Sequence, residues 1–204
     1  MEGTEKLPLK RSVFASNHPL GGLDGIALIQ LLGQHYGDEN ISFLVNDMLT
    51  NVIPLSRVFL PVNKYGGQAR GATKLVNEAY ESDKQIVVFP AGLVSRKNGK
   101  KIRDLEWKKT FISKALATDR DIVPVRFMGE NSRLFYSTAL WRKRLGLKVN
   151  IEQALLPGEL CGARGKTFKI IIGDPIPADK LRATGKSAPE LAETIRRIVY
   201  SIGG

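Results

Sequence analysis

The sequence predicts an α/β domain with a mostly parallel central sheet flanked by helices. Three observations lead there. Short apolar, β-branched runs alternate with amphipathic stretches of helical period along the chain. One of these runs, Gln85–Phe89 (Gln-Ile-Val-Val-Phe), has the near-continuous apolar character of a strand covered on both faces. The polar segments at His18, Asn63-Lys64 and Pro90–Arg96 each follow a predicted strand, so they converge on the edge where open α/β sheets bind ligands.

Taken in order, Val13–Ser16 is a buried strand, and Leu23–Tyr36 is a helix with Ile26, Ile29, Leu32 and Tyr36 near helical spacing. Ile41–Val45 and Phe59–Val62 are the next strands, with a short helix over Asp47–Asn51 that ends before Pro54. Gln68–Tyr80 is a helix entered from Gly66-Gly67, and Gln85–Phe89 is the central strand, closed by Pro90 and Gly92. A basic loop runs from Ser95 to Arg103. The helix after it carries Trp107, Phe111, Ile112, Ala115 and Leu116 on one face. Asp121–Phe127 is a strand and Arg133–Leu145 an amphipathic helix. Val149–Leu155 and Thr167–Ile172 read as late strands, and Pro189–Ile202 as a closing helix striped by Leu191, Ile195, Ile198, Val199 and Ile202.

The 204 residues fit one domain spanning 1–204, long enough to bury a full core. A net charge of +11 implies an acidic partner: a phosphate-bearing ligand, an anionic membrane surface, an acidic carrier protein or nucleic acid. Cys161 is the single cysteine, which excludes an internal disulfide and a multi-thiolate metal site. No run of about 18 apolar residues encodes a membrane-spanning helix, and residues 1–6 lack the apolar core of a signal peptide. His18, His35, Cys161 and the carboxylates show no metal-ligand spacing, so no metal is expected.

Two segments hold the chemistry. In Asn17-His18-Pro19-Leu20-Gly21-Gly22-Leu23-Asp24 a strand delivers a histidine into a glycine bend, and an aspartate stands where the next helix begins. A carboxylate so placed can fix the imidazole tautomer and stabilise its charged form, as a general base requires. The plainer reading makes Asp24 a helix cap and His18 a loop residue, and the pair alone does not choose between them. In Phe89-Pro90-Ala91-Gly92-Leu93-Val94-Ser95-Arg96, a strand breaks and ends on a hydroxyl and a guanidinium, a group suited to phosphate or carboxylate. Lys97, Lys100 and Lys101 read as solvated surface charge, and His35 as a surface or capping residue.

These two segments resemble, respectively, the His-plus-Asp motif and the Phe-Pro-Glu-Gly-Thr-Arg-Ser-Arg block of the glycerolipid acyltransferase superfamily, which includes lysophosphatidic acid acyltransferases. Phe59–Lys64 and Ile122–Val125 are similar to two further blocks of that family, and all four stand in family order from Asn17 to about Gly129. The combination is similar to the branch labelled putative haemolysins, which includes O-acyltransferases of ornithine or glycine lipids. The sequence departs from the pattern in having five residues between His18 and Asp24 rather than four. Ala91, Leu93 and Val94 also stand where Glu, Thr and Arg are usual, which changes the acceptor that fits.

The resemblance implies a glycerolipid-acyltransferase-like fold and acyl transfer from a thioester to the hydroxyl of a lysolipid, either lysophosphatidic acid or a lyso amino-acid lipid. His18 would be the base and Asp24 its partner, with Asn17, Lys64, Gly92, Ser95 and Arg96 binding substrate and backbone N–H groups near Gly21–Leu23 or Gly92 holding the oxyanion. Acyl-carrier protein or coenzyme A would be the donor, as co-substrate with no further cofactor, and the enzyme would sit peripherally on the cytoplasmic face of an anionic membrane. Many relatives carry a membrane-associating helical segment before the first strand, so this sequence reads as a trimmed or compact member. Arg133–Leu145 is weighed as a core-packing helix ahead of a bilayer-resting one. The competing readings are a catalytically inert lipid-binding relative and a basic nucleic-acid-binding module. The second lacks any known binding motif and has few aromatics among its cations, so no nucleic-acid partner is expected.

Overall fold

The structure, a computed structural model, describes residues 1–45, 59–61, 68–99, 101–147 and 149–203. Its centre is a six-stranded sheet built from β1 (Ser12–Ser16), β2 (Ile41–Val45), β3 (Phe59–Pro61), β4 (Gln85–Val88), β7 (Asp121–Met128) and β8 (Lys169–Ile172), in the order β3-β2-β4-β1-β7-β8. Every pairing is parallel except β7 with β8, which places one antiparallel strand at an edge. The predicted α/β class with a mostly parallel sheet is the observed one. Between β4 and β7, the short strands β5 (Arg96–Asn98) and β6 (Lys101–Arg103) pair as a separate antiparallel ribbon, where the sequence suggests only a basic loop.

Alternation along β1 divides the core between the two faces of the sheet. Val13 and Ala15 join Ile86, Val88 and Ile122 on one face. There they meet α2 (Gln68–Glu81), α3 (Thr110–Ala117), α6 (Ala178–Ala183) and α7 (Ala188–Ser201), through residues such as Val76, Ile112, Leu181 and Ile195. Phe14, Val87 and Val123 point to the other face, against Leu28 and Leu32 of α1 (Gly22–Tyr36). Both faces are covered, which explains the continuous apolar runs of β1 and β4. A third, smaller cluster packs Phe135 and Tyr136 of α4 (Arg133–Arg144) against Val94, Ile102, Leu155 and Leu156.

The helices start and stop for local reasons. Glu190 accepts the N–H of Ser187 ahead of α7, and the Ser132 hydroxyl accepts from Phe135 N at the start of α4. The buried guanidinium of Arg120 donates to the carbonyls of Tyr80, Lys84, Ala79 and Ser82, closing the carboxyl end of α2 with a cation.

One predicted element is overturned. Val149–Leu155 is not a strand: Ile151–Leu155 is a 3-10 helix leading into α5 (Leu156–Gly162). The apolar alternation of Val149 and Ile151 faces solvent, while Glu152, the next residue, is fully buried, drawn inward by two guanidinium groups. Cys161 lies in α5 and is exposed. Trp107 precedes α3 instead of belonging to it. The Asp47–Asn51 helix and the Asn63-Lys64 segment lie outside the described residues. Among those described, no helix is long and apolar enough to cross a membrane.

Candidate active site

The order β4-β1-β7 places the carboxyl end of β1 in the middle of the sheet, and the chain leaves it through Asn17–Gly21. Hydrogen bonds hold that loop at several points. The Asn17 side chain donates to the Phe127 carbonyl (2.9 Å) and accepts the Phe127 N–H (2.7 Å), so it continues the β1–β7 ladder by one step. His18 donates its N–H to Asp104 Oδ1 (3.2 Å) and accepts the Ser95 N–H on its carbonyl (2.8 Å). The Pro19 carbonyl accepts from Asn131 Nδ2. Gly21 turns the chain at φ 79°, where a side chain would be strained and a Cβ would stand 3.1–3.2 Å from Leu156 and Val94.

This bend sets Asp24 in the first turn of α1, where a negative charge is favoured by the helix dipole. Its Oδ2 accepts the N–H of Leu20 and its Oδ1 that of Gly25, both at 2.9 Å. Oδ1 also lies 3.0 Å from His18 Nδ1. The five intervening residues therefore bring the two side chains together, because the loop doubles back before the helix begins. Asp24 is wholly buried, His18 is 12% exposed, and the imidazole stacks on the Phe89 ring at 4.1 Å. Burial opposes charge on the imidazole, but the Asp24 carboxylate, with help from Asp104, outweighs it and holds the His18 pKa above its ordinary 6.5. With Nδ1 held against Asp24, Nε2 is the nitrogen available to take a proton.

A second carboxylate ties the site to the rest of the molecule. Buried Asp104 accepts from His18 N, Ser95 Oγ (2.5 Å) and Trp107 Nε1 (2.9 Å), while its own N–H donates to Tyr200 Oη of α7. Burial raises its pKa, and the donated hydrogen bonds work against that rise. A third buried carboxylate, Glu152, holds two cations. Arg96 Nη2 donates to its Oε1 (2.6 Å), and Arg142 Nε stands 2.9 Å from Oε2. Arg96 also donates to the Val94 carbonyl and lies over the Phe135 ring. Burial pulls the Arg96 pKa down, Glu152 pulls it back up, and Arg142 adds to the lowering. Among the described residues, no group of His, Cys, Asp and Glu is arranged to hold a metal ion.

Comparison with known proteins gives this geometry its context. A family model described as "Acyltransferase" matches residues 1–203. The chain belongs to that acyltransferase family. It is 45% identical over 203 residues to a lyso-glycine lipid O-acyltransferase of Phocaeicola vulgatus, covering 99% of this chain and 72% of the relative. A lyso-glycine lipid O-acyltransferase of Bacteroides thetaiotaomicron is also 45% identical over 203 residues, with 74% of it covered. The fold is similar to that of the crystal structure of the 1-acyl-sn-glycerophosphate acyltransferase PlsC of Thermotoga maritima, with a TM-score of 0.54 at 16% identity, over 98% of this chain and 70% of that one. Membership of the glycerolipid acyltransferase superfamily, which four short motifs suggest, is thereby shown.

In this acyltransferase, His18, Asp24, Asn17 and Ser95 gather at the end of β1, but they do so in different ways. The Asn17 amide is committed to β7, and the Ser95 hydroxyl and N–H are committed to Asp104 and His18. Both therefore build the loop that carries His18. Gly92 turns at φ 66° and gives its N–H to the Phe89 carbonyl. Arg96 is near enough for its charge to act on His18, yet it is engaged by Glu152. Lys64 lies outside the described residues. Sequence reasoning passed over Asp104 and Glu152. Asp104 had a usable signal, as the acidic residue that ends a run of five cations from Arg96 to Arg103. Glu152 had none, since a single Glu in an apolar alternation looks like the solvent face of a strand.

Proposed function

We propose that this acyltransferase transfers a fatty acyl group from an acyl thioester, carried by acyl-carrier protein or coenzyme A, to the free hydroxyl of a lyso-glycine lipid. It works at the cytoplasmic face of an anionic membrane. The observation that carries the reading is the contact of His18 Nδ1 with buried Asp24 at the carboxyl end of a central parallel strand, in a chain of this family.

His18 Nε2 takes the proton of the acceptor hydroxyl as its oxygen attacks the thioester carbonyl, and Asp24 stabilises the imidazolium that results. The tetrahedral intermediate collapses with loss of the thiolate, which recovers the proton from His18. The ester bond to the acceptor forms as the carbon–sulfur bond breaks. The N–H groups of Gly22 and Leu23 at the start of α1, which have no carbonyl within the helix to bond, supply the oxyanion donors. The Gly92 N–H is already given to Phe89, which favours the α1 donors over that alternative. No residue needs to form a covalent intermediate, and exposed Cys161 has no part in the reaction.

Two features support a singly charged carboxylate acceptor. The names of the two relatives specify a glycine lipid. Arg96, Glu152 and Arg142 together carry one net positive charge, which matches one carboxylate better than a phosphate monoester bearing nearly two negative charges. The donors are acidic, which suits the +11 chain without choosing between them. The test is mass spectrometry of lipids after incubation with mixed lyso-acceptors and each thioester. The expected product is the O-acylated glycine lipid. Acylation of lysophosphatidic acid alone, or of no acceptor, contradicts the proposal.

A further inference from the structure

Helix α4 has two apolar sides, of which the core uses one. Phe135, Tyr136 and Ala139 are buried. Leu134, Trp141 and Leu145, at offsets of seven and four residues, share a different face of the helix, and each is more than 60% exposed. The exposed apolar series continues past the helix through Leu147, Val149 and Ile151. That continuation stays beside the helix end, because Leu147 donates to the Arg142 carbonyl and Arg142 Nη1 donates back to the Leu147 carbonyl. Among the described residues, eight of the fourteen exposed large apolar side chains fall between Leu134 and Leu160, too concentrated for ordinary surface scatter.

The charge around this face is mostly positive. From residue 133 to 166 the sequence has seven Lys and Arg against two Glu. Glu152 is buried between two guanidiniums, and Glu159 is bonded to Ser132. The Arg144 guanidinium lies 5.8 Å from the Trp141 ring centroid, which sets a cation beside an amphipathic ring. Apolar side chains bordered by cations, with a tryptophan among them, make a surface suited to the headgroup boundary of an anionic bilayer.

We propose that the outer face of α4 and the segment following it, centred on Trp141, is the surface by which the protein docks on an anionic membrane. The inference rests on the membrane-surface part of the function proposed above, but not on which lipid is acylated. It also accounts for the position of the site. Arg142 of the same helix, next to Trp141 in sequence, reaches Glu152, which holds Arg96, so the docking face and the cation cluster assigned to the acceptor are linked through one helix. A lipid acceptor leaving the bilayer at this face meets the Arg96–Glu152–Arg142 cluster through Arg142.

Trp107 is buried and Trp141 is 61% exposed, so a change in tryptophan emission on vesicle binding reports Trp141. With phosphatidylglycerol vesicles, the expected result is a blue shift and quenching by brominated acyl chains. Phosphatidylcholine vesicles should give a weaker response, and salt should weaken the anionic one. Trp141→Ser with Leu145→Ser should lower vesicle affinity about tenfold or more, and Lys143→Gln with Arg144→Gln about tenfold. Turnover of a short-chain, monomeric acceptor should persist in both pairs. The proposal is overturned if phosphatidylglycerol vesicles do not bind, if they bind while Trp141 stays in water, or if affinity ignores the substitutions. It is equally overturned if the face proves to close a dimer that the Trp141→Ser, Leu145→Ser pair dissolves. Docking without turnover in any acceptor would remove the proposed chemistry and leave the docking face standing, whereas turnover without docking would do the reverse.

Discussion

Replacing Asp24 by Asn tests how the carboxylate serves the imidazole. In the wild type, two backbone N–H groups and His18 Nδ1 converge on its two oxygens at 2.9, 2.9 and 3.0 Å. Asparagine offers one acceptor oxygen and one donor amide, so either Leu20 N–H or Gly25 N–H loses its acceptor inside a fully buried site. That loss costs about 1–3 kcal/mol, a deficit that urea unfolding will measure and that leaves a fold of ordinary stability intact. The catalytic effect is larger, because the imidazolium formed during attack loses the carboxylate that stands 3.0 Å from its Nδ1. The rate should fall roughly a hundredfold to ten-thousandfold. The pH profile separates the two effects. A raised His18 pKa means that the base is protonated, and inactive, until the pH exceeds a midpoint above 6.5, so kcat/KM in the wild type rises through that midpoint. Without the Asp24 charge, burial dominates and the acid limb moves to lower pH while the plateau drops. An acid limb at the same pH in both proteins, or a plateau reduced less than about tenfold, would refute the reasoning.

Other substitutions probe the supports. Asp104→Ala leaves His18 N, Ser95 Oγ and Trp107 Nε1 without their shared acceptor, and should destabilise the fold by about 3–5 kcal/mol in urea unfolding, with loss of turnover. Gly21→Ala should cost about 1–2 kcal/mol for the positive φ and reduce kcat more than it raises KM, because the bend that joins His18 to Asp24 must shift; steady-state kinetics and thermal melting read the two effects. Glu152→Gln doubles the net charge of the Arg96–Arg142 pair, so the ratio of kcat/KM for phosphate-headed over carboxylate-headed acceptors should rise about tenfold; an unchanged ratio in a folded variant would detach this cluster from the acceptor.

The sequence made the sheet readable wherever apolar runs are buried on both faces. β1, β2, β4 and β7 and helices α1, α2 and α7 stand within a residue or two of their predicted bounds, because hydrophobic burial decides them and periodicity reports burial. The reading failed where electrostatics decides. Val149–Leu155 carries strand-like alternation, yet the buried residue is Glu152, held by arginines 56 and 10 positions away in sequence, and no local pattern encodes that pairing. The six-residue α6 was missed because its buried stripe is only Ala178 and Leu181. Within the site, the nearness of His18 to Asp24 was legible as a two-glycine bend before a helix. The true tasks of Asn17 and Ser95 were not, because they depend on the register of β1 against β7 and on Asp104, which arrives from the β5–β6 ribbon.

The central claim is that His18 Nε2 removes the acceptor proton, and transfer of an isotope-labelled acyl chain from its thioester to lyso-glycine lipid tests it most directly, comparing wild type with His18→Ala by product mass. The account predicts labelled diacylated product from the wild type, and from a folded His18→Ala variant at least about a hundredfold less. Equal labelled product from both proteins would contradict it.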